Sequence, residues 1–88
     1  MDADDDQLLT EVKSILDALD PEGLLALGAP SDEYLPEARD FAARIRRGET
    51  ITGEAARRTW VGWFYRGCGL ERRGLADVLA ERLAELHF

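Results

Sequence analysis

Asp20-Pro21-Glu22-Gly23-Leu24-Leu25-Ala26-Leu27-Gly28-Ala29-Pro30-Ser31-Asp32-Glu33-Tyr34-Leu35-Pro36 is the stretch that no helical repeat fits, and it divides the chain. It holds all three prolines of the sequence, two glycines and four carboxylates. Upstream of it, Leu8, Leu9, Val12, Ile15, Leu16 and Leu19 fall at i, i+1, i+4, i+7, i+8 and i+11, one continuous apolar stripe. This spacing predicts a first helix from about Asp5 to Leu19, with residues 1–4 frayed. Asp4, Asp5 and Asp6 then stand at its positive end, where carboxylates are favourable. Pro21 pushes Asp20 out of the α region and ends the helix.

Within the stretch, Pro21 to Gly23 reads as a turn. Leu24, Leu25 and Leu27 are expected to pack under the first helix, since burial of a leucine side chain is worth ~1.5–3 kcal/mol. Gly28 and Pro30 turn the chain outward, and Ser31, Asp32 and Glu33 offer oxygens to cap the next helix. Downstream, Pro36 and Glu37 suit the first turn of that second helix. Its buried face is Ala38, Phe41, Ala42 and Ile45, Gly48 stops it, and Arg44, Arg46 and Arg47 crowd its negative end.

Further out, Thr52 is a candidate N-cap for a third helix reaching Arg66 and ending at Gly67 or Gly69. Ala56, Trp60, Trp63 and Phe64 share one face with Val61 and Tyr65 beside them, which marks this helix as central. At least two of Trp60, Trp63 and Phe64 are assigned to the core, leaving Tyr65 and one Trp for a partner. Gly62, unfavourable in a helix by up to ~1 kcal/mol, suggests a second backbone crossing there. Leu75, Val78, Leu79, Leu83 and Leu86 define a last helix that starts either near Glu71, with Gly74 inside it, or after Gly74. The expected fold is all-α: a single domain over residues 1–88, a compact four-helix bundle-like or orthogonal arrangement with a Pro/Gly-rich connection between helices one and two.

The 88 residues suffice for one small core. No apolar run approaches the ~18 residues of a membrane span, and the acidic start is unlike a signal peptide; a cytoplasmic protein is expected. Cys68 alone cannot form an internal disulfide, and with His87 as its only company a transition-metal site is not expected. Cys68 reads as apolar filler, although Arg66 and Arg72 beside it would favour a thiolate. The net charge of −7 is unevenly spread. Residues 1–40 carry twelve Asp or Glu against Lys13 and Arg39, and residues 41–88 carry six acids against nine arginines. The acidic half would repel phosphate, so nucleic-acid binding through Arg57, Arg58, Arg66, Arg72 and Arg73 is disfavoured.

The Asp20-Pro-Glu22-Gly-Leu string, the apolar run after it, and Gly28-Ala-Pro-Ser-Asp-Glu-Tyr-Leu-Pro-Glu37 resemble small, acidic, all-helical bacterial proteins of unknown function, the YugE-like type. Members usually carry Asp where this chain has Leu35. The resemblance implies a compact helical domain and, because such proteins often accompany toxin or secretion genes, a partner-binding role.

No nucleophile with a paired base, phosphate loop or calcium-loop spacing is present, so neither enzymatic activity nor a cofactor is expected. Asp20, Glu22, Asp32 and Glu33 admit two readings, as turn and cap groups or as an acidic recognition surface. With Tyr34 and Tyr65 they form the candidate partner-binding set. The leading expectation is an immunity- or antitoxin-type module presenting an acidic face to a basic protein. The alternative is a structural or regulatory module that self-associates, as a homodimer, through Tyr65 and the last helix.

Overall fold

The computed structural model describes residues 3–64 and 68–86. Among these residues it contains five helices and no strand: α1 (Ala3–Leu19), α2 (Leu35–Arg46), α3 (Gly53–Trp63), α4 (Gly69–Arg72) and α5 (Ala76–Ala84). The class is all-α, as expected. The Cα radius of gyration, 12.2 Å, matches the roughly 12 Å of a single globule of this length.

Each boundary has a local cause. α1 takes in Ala3 and Asp4, ahead of the expected start, and ends at Leu19, where Asp20 adopts φ +43°. Pro36 stands in the first turn of α2, where its missing N–H is harmless. The expected caps from Ser31, Asp32 and Glu33 do not form: Tyr34 occupies the N-cap position, with no side-chain cap bond. Gly48, at φ +89°, stops α2 as anticipated. Thr52 caps α3 through Oγ1, which accepts from the Ala55 N–H at 3.1 Å.

The C-terminal half departs further from expectation. α3 ends at Trp63 rather than Arg66; Tyr65, Arg66 and Gly67 lie outside the described residues. The last helical segment is two helices, because Gly74 at φ +65° breaks the backbone between α4 and α5. The later of the two proposed starts is therefore correct, with one helical turn preceding it.

α3 packs on α5, α1 packs on α2, and α1 also meets α5, so α5 joins the two pairs. The centrality expected of α3 resides in one side chain. Trp60 is fully buried, with its ring centroid 5.8 Å from Tyr34, 6.4 Å from Phe41 and 5.0 Å from Phe64. Around it Leu8, Val12 and Leu16 of α1, Ala38 and Phe41 of α2, Leu70 of α4 and Leu79 and Leu83 of α5 form one core cluster. Phe64 is partly buried against that cluster, whereas Trp63 stays 45% exposed. Two members of the aromatic trio thus pack on the core, and Trp63 is the one left outward.

Two sequence-based expectations fail here. Leu24 and Leu25 pack against the core but Leu27 is 84% exposed: with the outward turn at Pro30 so close behind it, one leucine of the run faces solvent. Among the described residues no backbone crosses at Gly62, where an added Cβ would meet open space. The close crossing occurs at Gly69, whose Cβ would overlap the Pro21 carbonyl oxygen and lie 3.0 Å from the Glu22 Cα.

Candidate functional site: the connection between the first two helices

Residues 20–34 contain no helix, so their backbone polar groups need partners outside a helical ladder. Three side chains of the stretch supply them. The Asp20 carboxylate accepts from the Leu25 N–H (3.1 Å) on Oδ1 and from the Ala26 N–H (3.0 Å) on Oδ2. The Tyr34 hydroxyl donates to Asp20 Oδ1 at 2.6 Å and accepts from the N–H groups of Glu22 (3.1 Å) and Leu24 (3.4 Å). These bonds tie residue 20 to residue 34 and close the connection at its base. Asp20 reaches them from left-handed backbone, a conformation that Asp tolerates better than most side chains.

Glu22 fastens this base to the far end of the chain. Its Oε1 accepts from the Gly69 N–H at 2.8 Å; its Oε2 accepts from the Trp60 indole N–H at 2.7 Å and the Leu70 N–H at 3.2 Å. One carboxylate therefore caps the first turn of α4 and satisfies the only polar atom of the buried indole ring. Gly69 permits this approach because a side chain there would strike Pro21. Arg73 completes the junction by donating from Nη1 to the carbonyl oxygens of Asp20 (2.7 Å) and Pro21 (3.4 Å).

The electrostatics follow from these contacts. Burial opposes ionisation of Asp20, but the bonds from Tyr34, Leu25 and Ala26 and the charge of Arg73 outweigh it and keep the carboxyl below its usual range. Burial, then the bond to Asp20, pushes the Tyr34 hydroxyl upward, so it stays protonated as the donor. One turn into α2, burial pushes the Glu37 carboxyl up, with Glu33 adding repulsion against partial relief from its own N–H. Glu37 Oε2 is buried without a hydrogen-bond partner among the described residues.

The candidate set thus separates. The carboxylates of Asp20 and Glu22 and the hydroxyl of Tyr34 are engaged within the fold, with Tyr34 fully buried. Asp32 and Glu33 are exposed on the outer part of the connection, together with Ala26, Leu27, Gly28, Pro30 and Ser31. Tyr65 lies outside the described residues. Sequence reasoning did not find Arg73 as a ligand of this stretch; its only sequence signal was a basic residue opposite an acidic segment.

Several arginines are similarly occupied. Arg44 pairs with Asp40 (2.8 Å) and Glu49 (3.5 Å), Arg47 with Glu49 (2.8 Å), and Arg57 with Glu71 (3.3 Å). Cys68 is buried. Among the described residues no three His, Cys, Asp or Glu side chains are grouped to hold a metal ion, and no helix is long and apolar enough to cross a membrane. Comparison with protein-family models, with curated proteins and with solved structures finds no match. The resemblance to YugE-like proteins therefore rests on residues 20–37 alone.

Proposed function

We propose that this chain is a non-enzymatic, cytoplasmic protein-binding module that offers residues 26–33 to a basic partner, in the manner of an immunity or antitoxin protein covering a toxin. One observation carries the reading: Asp32 and Glu33 point outward from a segment whose base is anchored by Asp20, Glu22 and Tyr34. An acidic surface presented on fixed backbone loses little conformational entropy on binding. Its charge would steer a basic partner toward it, so the association rate should fall as salt rises. Inhibition would be steric, with the tip occupying the partner's working surface.

The test compares proteins captured from the source lysate by the native chain and by Asp32→Lys/Glu33→Lys, eluted with a salt gradient. A basic protein held by the native chain alone, and released by salt, supports the reading. Equal capture by the double variant, with its helical circular dichroism intact, overturns it.

A further inference from the structure

Thr59 is only 9% exposed, yet it lines an open pocket at the surface of the fold. The pocket has a volume of about 310 Å³, lies between the C-terminal half of α2 and the first two turns of α3, and is lined by Arg44, Glu49, Ala55, Arg58 and Thr59. Its polar groups differ in how far they are already engaged. Arg44 is held by Asp40 at 2.8 Å and Glu49 at 3.5 Å, and Glu49 is held in turn by Arg47 at 2.8 Å. These charges compensate one another and form the rim. Arg58 and Thr59 stand apart: among the described residues neither the guanidinium nor the hydroxyl has a hydrogen bond or ion pair, although Glu54 precedes Arg58 by one helical turn. A hydroxyl on so buried a side chain ordinarily finds its partner within the fold. Beyond Thr59 by one turn on the same side of α3, Trp63 is 45% exposed, and its indole N–H donates to Asp40 Oδ2 at 2.9 Å while Asp40 Oδ1 holds Arg44. A fixed aromatic surface therefore stands beside the pocket.

We propose that this pocket binds a small organic monocarboxylate with a flat apolar body. One unpaired guanidinium and one unpartnered hydroxyl match a single planar oxyanion. The two carboxylate oxygens accept the forked N–H groups of Arg58, and one of them also accepts from the Thr59 hydroxyl. A dianion such as phosphate finds no second uncommitted cation in the lining and meets a chain whose net charge is −7. The apolar body leaves water against the Trp63 ring. The volume is that of a small-molecule site. Because the pocket is separate from residues 26–33, the inference goes beyond the proposed function and stands or falls without it.

Amide shifts of the nitrogen-15-labelled full chain, titrated with sodium benzoate and, at matched ionic strength, with sodium phosphate, test this. Benzoate is expected to give saturable shifts centred on Ala55, Arg58, Thr59 and the Trp63 indole N–H, with a Kd of about 1 mM, and phosphate none that saturate in the same range. Arg58→Gln and Thr59→Val each remove a hydrogen bond to a charged group and should weaken benzoate binding about tenfold, with helical circular dichroism unchanged. Arg57→Gln, at an arginine paired with Glu71 outside the pocket, should leave the affinity as it is. Shifts that fail to saturate, an affinity unchanged in either pocket variant, or an equal loss in Arg57→Gln overturn the proposal, and phosphate binding as tight as that of benzoate overturns the assignment to a carboxylate. Arg58 is exposed, so its substitution decides the matter even where Thr59→Val fails to fold.

Discussion

The base of the connection, Asp20 to Leu25 with Tyr34, and its tip, Ala26 to Glu33, share a composition of carboxylates, glycine and small apolar residues. Their surroundings differ completely. At the base, two carboxylates and a phenol meet backbone N–H groups and an indole, some from residues far along the chain. At the tip, Asp32 and Glu33 face water. An acidic residue in this stretch is thus architectural or available according to whether unsatisfied donors lie within its reach, and net charge does not separate the two kinds.

The comparison is broken most severely at Glu22. Glu22→Ala leaves the Trp60 indole and the first N–H groups of α4 without their acceptor, and a loss of ~3 kcal/mol or more is expected in urea unfolding. Tyr34→Phe removes one hydroxyl that serves three partners, and should cost about 2 kcal/mol by the same measurement. Asp20→Asn tests the charge itself. Because folding lowers the Asp20 pKa, its contribution is present above the unfolded carboxyl value, ~3.9, and is lost as pH falls through the folded value. The native chain should therefore lose more stability between neutral pH and pH ~3 than the Asn variant does. At the tip, Leu27→Ser and Asp32→Lys/Glu33→Lys should each change stability by no more than ~0.5 kcal/mol. A large loss from either tip substitution would erase the distinction between the two regions.

What could be read from the chain itself was local. The stripe from Leu8 to Leu19, Pro36 at the start of α2, Gly48 at its end and the Thr52 cap are each set by neighbours within a turn or two, and periodicity and capping chemistry describe them. What escaped depends on distant partners. Trp60 and Trp63 are both spaced for one helical face, but Trp60 turns inward to Glu22 while Trp63 donates to Asp40 at 2.9 Å on the outside. Gly69, not Gly62, marks the close crossing because Pro21 arrives there from the other end of the chain. The division of the candidate site has the same origin: spacing shows that Asp20, Glu22, Asp32 and Glu33 are near one another, but not which of them the Trp60 and Gly69 donors will meet.

Glu22 and Gly69 are 47 residues apart in sequence, and Arg73 reaches back 53 residues to Asp20. During synthesis the connection leaves the ribosome long before the groups that anchor it, so its two ends can meet while the outer part still lacks its footing. The outer part of the connection gains its full footing only when the last third of the chain has docked, which keeps an incomplete chain from presenting a properly formed acidic tip. A chain stopped after Trp63 should accordingly be cut by chymotrypsin around Leu24, Leu25 and Leu27 much faster than the full protein, which is protected there by the completed junction.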